Sequence, residues 1–214
     1  MAYERKAVED LAQPTNMLIT LYGINNIGKS TQAHLLVERL RAEGHAVEYV
    51  KYPIYELAPS GPFIHEQIKS GKGQNVSEEE LQLWYTLNRF QFEPTLKAWL
   101  AEGKIVVAED YIGTGLAWGM AKGADGEWLK TVNSSLLAPD FSILLDGERF
   151  TEAVEAGHAH ETDAALMDRC RQTHLQLAKE QGWTVVPVVP GVEVVAENLW
   201  EVVNAFTLES CKNS

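Results

Sequence analysis

The run Gly23-Ile24-Asn25-Asn26-Ile27-Gly28-Lys29-Ser30 constrains this chain more than any other stretch, because it fits the pattern G-x-x-x-x-G-K-[ST]. Met17 to Tyr22 before it reads as a buried strand, and Thr31 to Ala42 after it reads as a helix. A glycine-rich loop between a strand and a helix aims several backbone N–H groups at one spot, at the positive end of the helix dipole. Such a nest cradles a polyphosphate. The candidate phosphate-binding residues are Gly23, Asn25, Asn26, Ile27, Gly28, Lys29, Ser30 and Thr31. The Lys29 ammonium can reach β- and γ-phosphates, and the Ser30 hydroxyl can ligate Mg²⁺.

The length of 214 residues suits one α/β domain, and an apolar content of 45% suffices for a full core. The net charge of −12 argues against a nucleic-acid surface and against anionic lipid. It does not exclude a phosphate ligand, because a local nest overrides the global field. Two cysteines, Cys170 and Cys211, are too few for a disulfide framework and fit a reducing cytoplasm. No apolar run reaches membrane-spanning length, and no signal-peptide core precedes the first strand. Residues 1–16 are expected to be an extension.

Strands and helices alternate along the rest. The first helix runs from Lys29 to about Glu43, with Leu35, Leu36 and Leu40 on its apolar face. His45–Tyr52 alternates as a second strand. Pro59, Gly61 and Pro62 are expected to form a loop feeding a helix over Phe63–Lys69. Ser77 with Glu80 is a capping box opening a long helix towards Ala101, with an interruption expected near Pro94. Lys104–Tyr111 is a central strand ending in Glu109-Asp110, followed by a Gly-rich segment over Gly113–Gly123. Then come a helix over Glu127–Leu137, a strand over Phe141–Leu145, a charged segment at about 148–162, a helix over Asp163–Gln181, a strand over Thr184–Val189 and a helix over Val194–Phe206, with a frayed tail over 207–214. The expectation is an α/β fold: a three-layer α/β/α sandwich around a five-stranded parallel sheet. Its ligands would lie at the carboxyl ends of the strands.

No Asn-Lys-x-Asp base-reading motif occurs, and a chain with one phosphate loop suits a small-molecule kinase. Five pieces then stand in order: GINNIGKST; Tyr52-Pro53; Leu87-Asn88-Arg89; Glu109-Asp110-Tyr111 with Thr114-Gly115-Leu116-Ala117-Trp118-Gly119; and Pro139-Asp140 leading to Leu145-Asp146. Over most of its length after residue 16 the chain resembles the thymidylate kinase family. The resemblance implies a P-loop kinase fold, a homodimer, and transfer of the γ-phosphoryl group of ATP to dTMP with Mg²⁺. It implies that Lys29 neutralises the transferring group, that Ser30 and Glu109 support Mg²⁺, and that Arg89 reads the thymine edge. Tyr85 would stack on the base, and Trp118 would lie near the deoxyribose. Tyr52, Tyr55, Asp110, Tyr111 and Thr114 complete the implied acceptor-nucleotide site.

The chain departs from the family pattern in its charges. Asp110 and Tyr55 stand where the family has phosphate-gripping arginines. Asn25-Asn26 replaces the loop's acid and, in some members, an arginine. Arg149, at the start of the lid-like segment, is therefore the candidate catalytic cation, and Lys51 is a candidate for the acceptor phosphate. His158-x-His160 lacks a third ligand and reads as a polar loop. Two other readings stay open. One is another deoxynucleotide or deoxynucleoside kinase on the same fold, and the other is a nucleotide-binding module with little catalysis.

Overall fold

The computed structural model of the chain describes residues 16–69, 73–148 and 164–212, with side chains up to Leu208. The elements run β1 (Met17–Tyr22), α1 (Lys29–Ala42), β2 (Val47–Lys51), α2 (Ser60–Lys69), α3 (Glu78–Ala101), β3 (Ile105–Glu109), α4 (Ile112–Ala121), α5 (Gly126–Asn133), β4 (Phe141–Asp146), α6 (Ala164–Gln181), β5 (Thr184–Pro187) and α7 (Val192–Lys212). The sheet order is β2-β3-β1-β4-β5, and every pairing is parallel. The three-layer α/β/α expectation holds.

Parallel strands are covered on both faces, so their residues are apolar without alternation. β1 is buried at all six positions. Met17, Ile19 and Leu21 pack with α1 and with Leu199 and Val203 of α7. Leu18 and Tyr22 point the other way, towards Leu96 of α3, Leu116 and Ala117 of α4 and Leu177 of α6. The period of two thus splits one short strand between two cores. β1 is central, so the loop that follows it opens at the middle of the sheet's carboxyl edge.

Several segments differ from the sequence reading, among them α5, which ends at Asn133 rather than Leu137. α2 begins at Ser60 rather than Phe63, with Pro62 in its first turn, where a missing N–H costs nothing. α3 continues through Pro94, held by its Ser77 cap and a packed inner face. α7 runs on to Lys212, and the buried Thr207 lies in a segment expected to fray. The Gly-rich segment is a helix, α4, whose glycines serve close packing. A Cβ on Gly113 would lie 2.7 Å from Tyr22 and Trp183, and one on Gly115 would lie 2.5 Å from Arg89 Nη2. Packing outweighs the helix-interior cost of glycine, roughly 1 kcal/mol.

Inside α6, His174 is 1% exposed, with Nδ1 2.9 Å from the Cys170 carbonyl and no partner for Nε2 among the described residues. Burial pushes its pKa down to about 4, from an ordinary value of 6.5. The folded chain therefore holds a neutral imidazole that the unfolded chain protonates below pH 6.5. Stability is whole above that pH and declines as pH falls towards 4, by about 2 kcal/mol at pH 5. Urea titrations at pH 7.5 and pH 5 should show this loss, and His174→Phe should shrink it.

Candidate active site

One cleft of about 1170 Å³ opens at the carboxyl edge of the sheet. Its floor is the loop residues 25–31 and the strand ends Lys51, Glu109 and Asp110. α3 and α4 form one wall, through Tyr85, Arg89, Thr114 and Trp118. Val188, Val189, Gly191 and Val192, between β5 and α7, form the opposite rim.

The loop is anchored from below by Ile24 and Ile27, which are buried in the core. Asn26 and Gly28 adopt left-handed backbone, φ 61° and 91°, and turn the chain into α1. Gly23 does not line the cleft. A Cβ there would lie 2.7 Å from the Leu145 carbonyl, and the Gly23 carbonyl accepts from Lys29 Nζ at 3.0 Å. Lys29 is buried and also donates to the Ile24 carbonyl at 2.9 Å, with Asp110 Oδ1 3.5 Å away. The first N–H groups of α1 have no partner within the helix and face the same space, which suits an anion.

Glu109, 1% exposed, ends β3 beneath the loop. Its carboxylate accepts from Ser30 Oγ at 2.9 Å and Tyr49 Oη at 2.7 Å, and Lys51 Nζ lies 2.8 Å away. Burial alone would push this carboxyl up. The Lys51 and Lys29 charges and the hydrogen bonds from Lys51 and Tyr49 outweigh it and hold the group below the ordinary carboxylate range. Lys51 also donates to Ser30 Oγ at 2.8 Å. The ammonium of Lys51, the candidate for the acceptor phosphate, thus lies at the Ser30–Glu109 pair on the cleft floor. Those oxygens already hold one positive charge, so their chemistry fits a hard cation such as Mg²⁺.

At the far end, Arg89 is 3% exposed and donates Nη1 to Asn133 Oδ1 at 3.0 Å. Burial lowers its pKa, with neighbouring tyrosines acting against that. Glu93, one helical turn beyond Arg89 on α3, does not pair with it but accepts from the Leu137 N–H at 2.6 Å and pairs with Lys97 at 3.2 Å. Tyr85, Tyr55 and Trp118 line the cleft half-buried, and Thr114 Oγ1 donates to Asp110 Oδ1 at 3.0 Å. Tyr52 lines it from below, 2% exposed. Tyr111 does not line the cleft. It is wholly buried, its ring 5.1 Å from that of Tyr52, and its hydroxyl donates to the Leu137 carbonyl at 3.2 Å. The left-handed turn at Asp110 sends the next side chain under the sheet edge. Arg149, the histidines at 158 and 160, and the expected lid beyond Glu148 lie outside the described residues.

A family model described as thymidylate kinase matches residues 21–199. The chain belongs to the thymidylate kinase family. The human thymidylate kinase is 27% identical over 194 residues, covering 88% of this chain and 90% of that protein. A probable thymidylate kinase of Thermococcus onnurineus is 32% identical over 176 residues, covering 76% and 84%. The thymidylate kinase structure from Ehrlichia chaffeensis superposes with a TM-score of 0.72 at 21% identity, covering 89% of this chain and all of that one, and shows the same fold.

Within this thymidylate kinase family member, several cleft residues escaped sequence reasoning. The apolar rim Val188–Val192 had no motif to mark it. Lys69 over the Tyr55 ring at 4.8 Å, and Glu78 paired with Lys122 at 3.0 Å, become cleft residues only through helix packing. No helix among the described residues is long and apolar enough to cross a membrane.

The Glu109 cluster predicts an order of stabilities. Lys51→Met leaves a buried carboxylate without its largest opposing charge, whereas Glu109→Gln leaves a half-exposed ammonium that water can solvate. The first should cost about 1–2 kcal/mol, discounted for the exposure of Lys51, and the second less. Urea denaturation of both variants measures this, and equal losses would contradict the assigned pairing.

Proposed function

We propose that this chain transfers the γ-phosphoryl group of ATP to dTMP, giving ADP and dTDP. The observation that carries this is the continuity of one cleft from the phosphate loop to Arg89 and Tyr85. Its volume of about 1170 Å³ exceeds that of a typical one-ligand pocket, roughly 300–1,000 Å³. Two nucleotides can lie end to end in it, with their phosphates meeting above Lys29.

In this reading the donor's phosphates sit on residues 25–31, and its base lies against the Val188–Val192 rim. Lys29 exchanges the Gly23 and Ile24 carbonyls for phosphate oxygens and neutralises the transferring group, which is the main chemical demand of phosphoryl transfer. Ser30 and Glu109 would hold Mg²⁺, Glu109 through water. The ion's contribution when bound is to neutralise charge on the donor phosphates. Arg89, fixed by Asn133, presents donors to a carbonyl edge of the acceptor base, and Tyr85 offers a ring face to it. Trp118 packs beside the sugar. The pocket also includes Tyr52, Tyr55 and Thr114. Arg149, from the proposed lid at about 148–162, supplies a further cation. The unpaired, buried Cys170 thiol supports a reducing cytoplasm as the place of action.

The proposed assembly is a homodimer. Leu83, Leu87 and Phe90 recur at i, i+4 and i+7 on α3, and each is 37–48% exposed. This apolar stripe supports self-association.

With Mg-ATP and a panel of nucleoside monophosphates, dTMP should be turned over fastest. Lys29→Ala should lower kcat by about a thousandfold or more, on the scale of losing a charge at a phosphoryl-transfer site. ADP release that is no faster with dTMP than with the other monophosphates would refute the reading. Light scattering after size exclusion should give a dimer mass, and Leu87→Asp should yield a monomer.

A further inference from the structure

The group that faces Lys29 from the acceptor side of the cleft is a carboxylate. Asp110 Oδ1 lies 3.5 Å from Lys29 Nζ. Its side chain is 16% exposed and lines the same cleft as the phosphate loop. Asp110 is one of two described non-glycine residues with positive φ, at 60°, and the other, Asn26, lies in the phosphate loop itself. Its backbone N–H donates to the Leu21 carbonyl at 3.2 Å, which ties the strained residue to the central strand. Thr114 Oγ1 donates to Oδ1 at 3.0 Å and fixes the carboxylate's direction. Non-glycine residues persist in left-handed backbone where the surroundings over-determine them, and such positions concentrate at functional sites.

The other charges of the cleft sharpen the point. Among the described residues, the cations Lys29, Lys51, Lys69, Arg89 and Lys122 line it, against the acids Glu56, Glu78, Glu109 and Asp110. Lys51 lies on Ser30 and Glu109, Lys122 on Glu78 and Gln74, and Arg89 on Asn133. The remaining positive excess is small for a cleft that holds two polyanions.

Acceptor chemistry separates the roles. A phosphate oxygen attacks without losing a proton and needs cations around it. A hydroxyl must shed its proton as the new bond forms, and a positioned carboxylate takes it. Asp110 suits the second acceptor and opposes the first.

We propose that this cleft also phosphorylates the 5′-hydroxyl of a pyrimidine deoxynucleoside, with Asp110 as the general base. This rests on the assignment of donor and acceptor ends made above. The 5′-oxygen bonds to the γ-phosphorus of ATP. The bond from that phosphorus to the β,γ-bridging oxygen breaks, and its electron pair leaves with ADP. The hydroxyl proton passes to an Asp110 oxygen and then to solvent. The product is a nucleoside monophosphate, the acceptor of the other reaction, so one site can run two successive phosphorylations.

The test offers the full chain Mg-ATP with thymidine or with dTMP and separates products by chromatography. Thymidine should give dTMP. Asp110→Asn keeps the shape and tolerates left-handed backbone, so a melting curve close to that of the native chain is expected. It should lower kcat on thymidine at least a hundredfold with KM changed less than threefold, and raise kcat/KM on dTMP severalfold by removing a negative charge. Thr114→Val should lower kcat on thymidine by a smaller factor. The proposal is overturned if the native chain makes no dTMP from thymidine, or if folded Asp110→Asn retains that activity. Turnover of thymidine but not of dTMP would sink the monophosphate reading and leave this one standing.

Discussion

The carboxylate of Glu109 is the point on which the working edge of this molecule depends. It lies at the end of β3, and it joins that strand to α1 through Ser30 and to β2 through Tyr49 and Lys51. A carboxylate that is 1% exposed is tolerated only when its oxygens are met by donors and an opposite charge. Here they are, and the consequence is geometric. The phosphate loop, the β2 end and the β3 end cannot shift relative to one another without stranding that charge, at a cost of about 1–2 kcal/mol with Lys51 half exposed. Phosphoryl transfer asks mainly for fixed positions and fixed charges. The same buried carboxylate provides both, and it does so beside a hydroxyl that can share a cation with it.

How much of this was legible in the sequence follows from how local each feature is. The loop at 23–30 is a local device, because its glycines, lysine and hydroxyl all act within one turn of chain, and letters and flanking pattern suffice to read it. The buried strands are almost as local, since a wholly apolar run such as Ile105–Ala108 has few other uses. α4 was not legible as a helix, because glycine is a poor helix former. Its reason for being there lies in Tyr22, Trp183 and Arg89, which are distant in sequence. Tyr111 was misplaced for a related reason. A strand-end aromatic reads equally as pocket or core, and only the left-handed turn at Asp110 decides between them. The same limit hid the position of Lys51 on Ser30 and Glu109, and the apolar rim beyond β5.

Arg89 shows how a weak spot in stability marks a strong spot in function. Its guanidinium packs against Gly115 of α4, meets one neutral acceptor at Asn133, and leaves Nε without a partner among the described residues. A cation so placed costs several kcal/mol of desolvation that a neutral amide does not return. An apolar residue would pack here with less penalty. The arrangement becomes economical only when a ligand brings acceptors to the guanidinium, which is the physical sense in which Arg89 and Gly115 form one recognition element.

The Lys29–Asp110 contact couples the two ends of the cleft. The Lys29 ammonium is shared among the Gly23 carbonyl, the Ile24 carbonyl and Asp110. Each of these must be given up, or weakened, for Lys29 to serve phosphate oxygens. Opposite unit charges about 4 Å apart attract by about 4 kcal/mol at the effective dielectric typical of protein sites. A nucleotide that draws Lys29 onto its phosphate oxygens must offset that attraction, so the seating of the donor and the surroundings of Asp110 are linked through one ammonium.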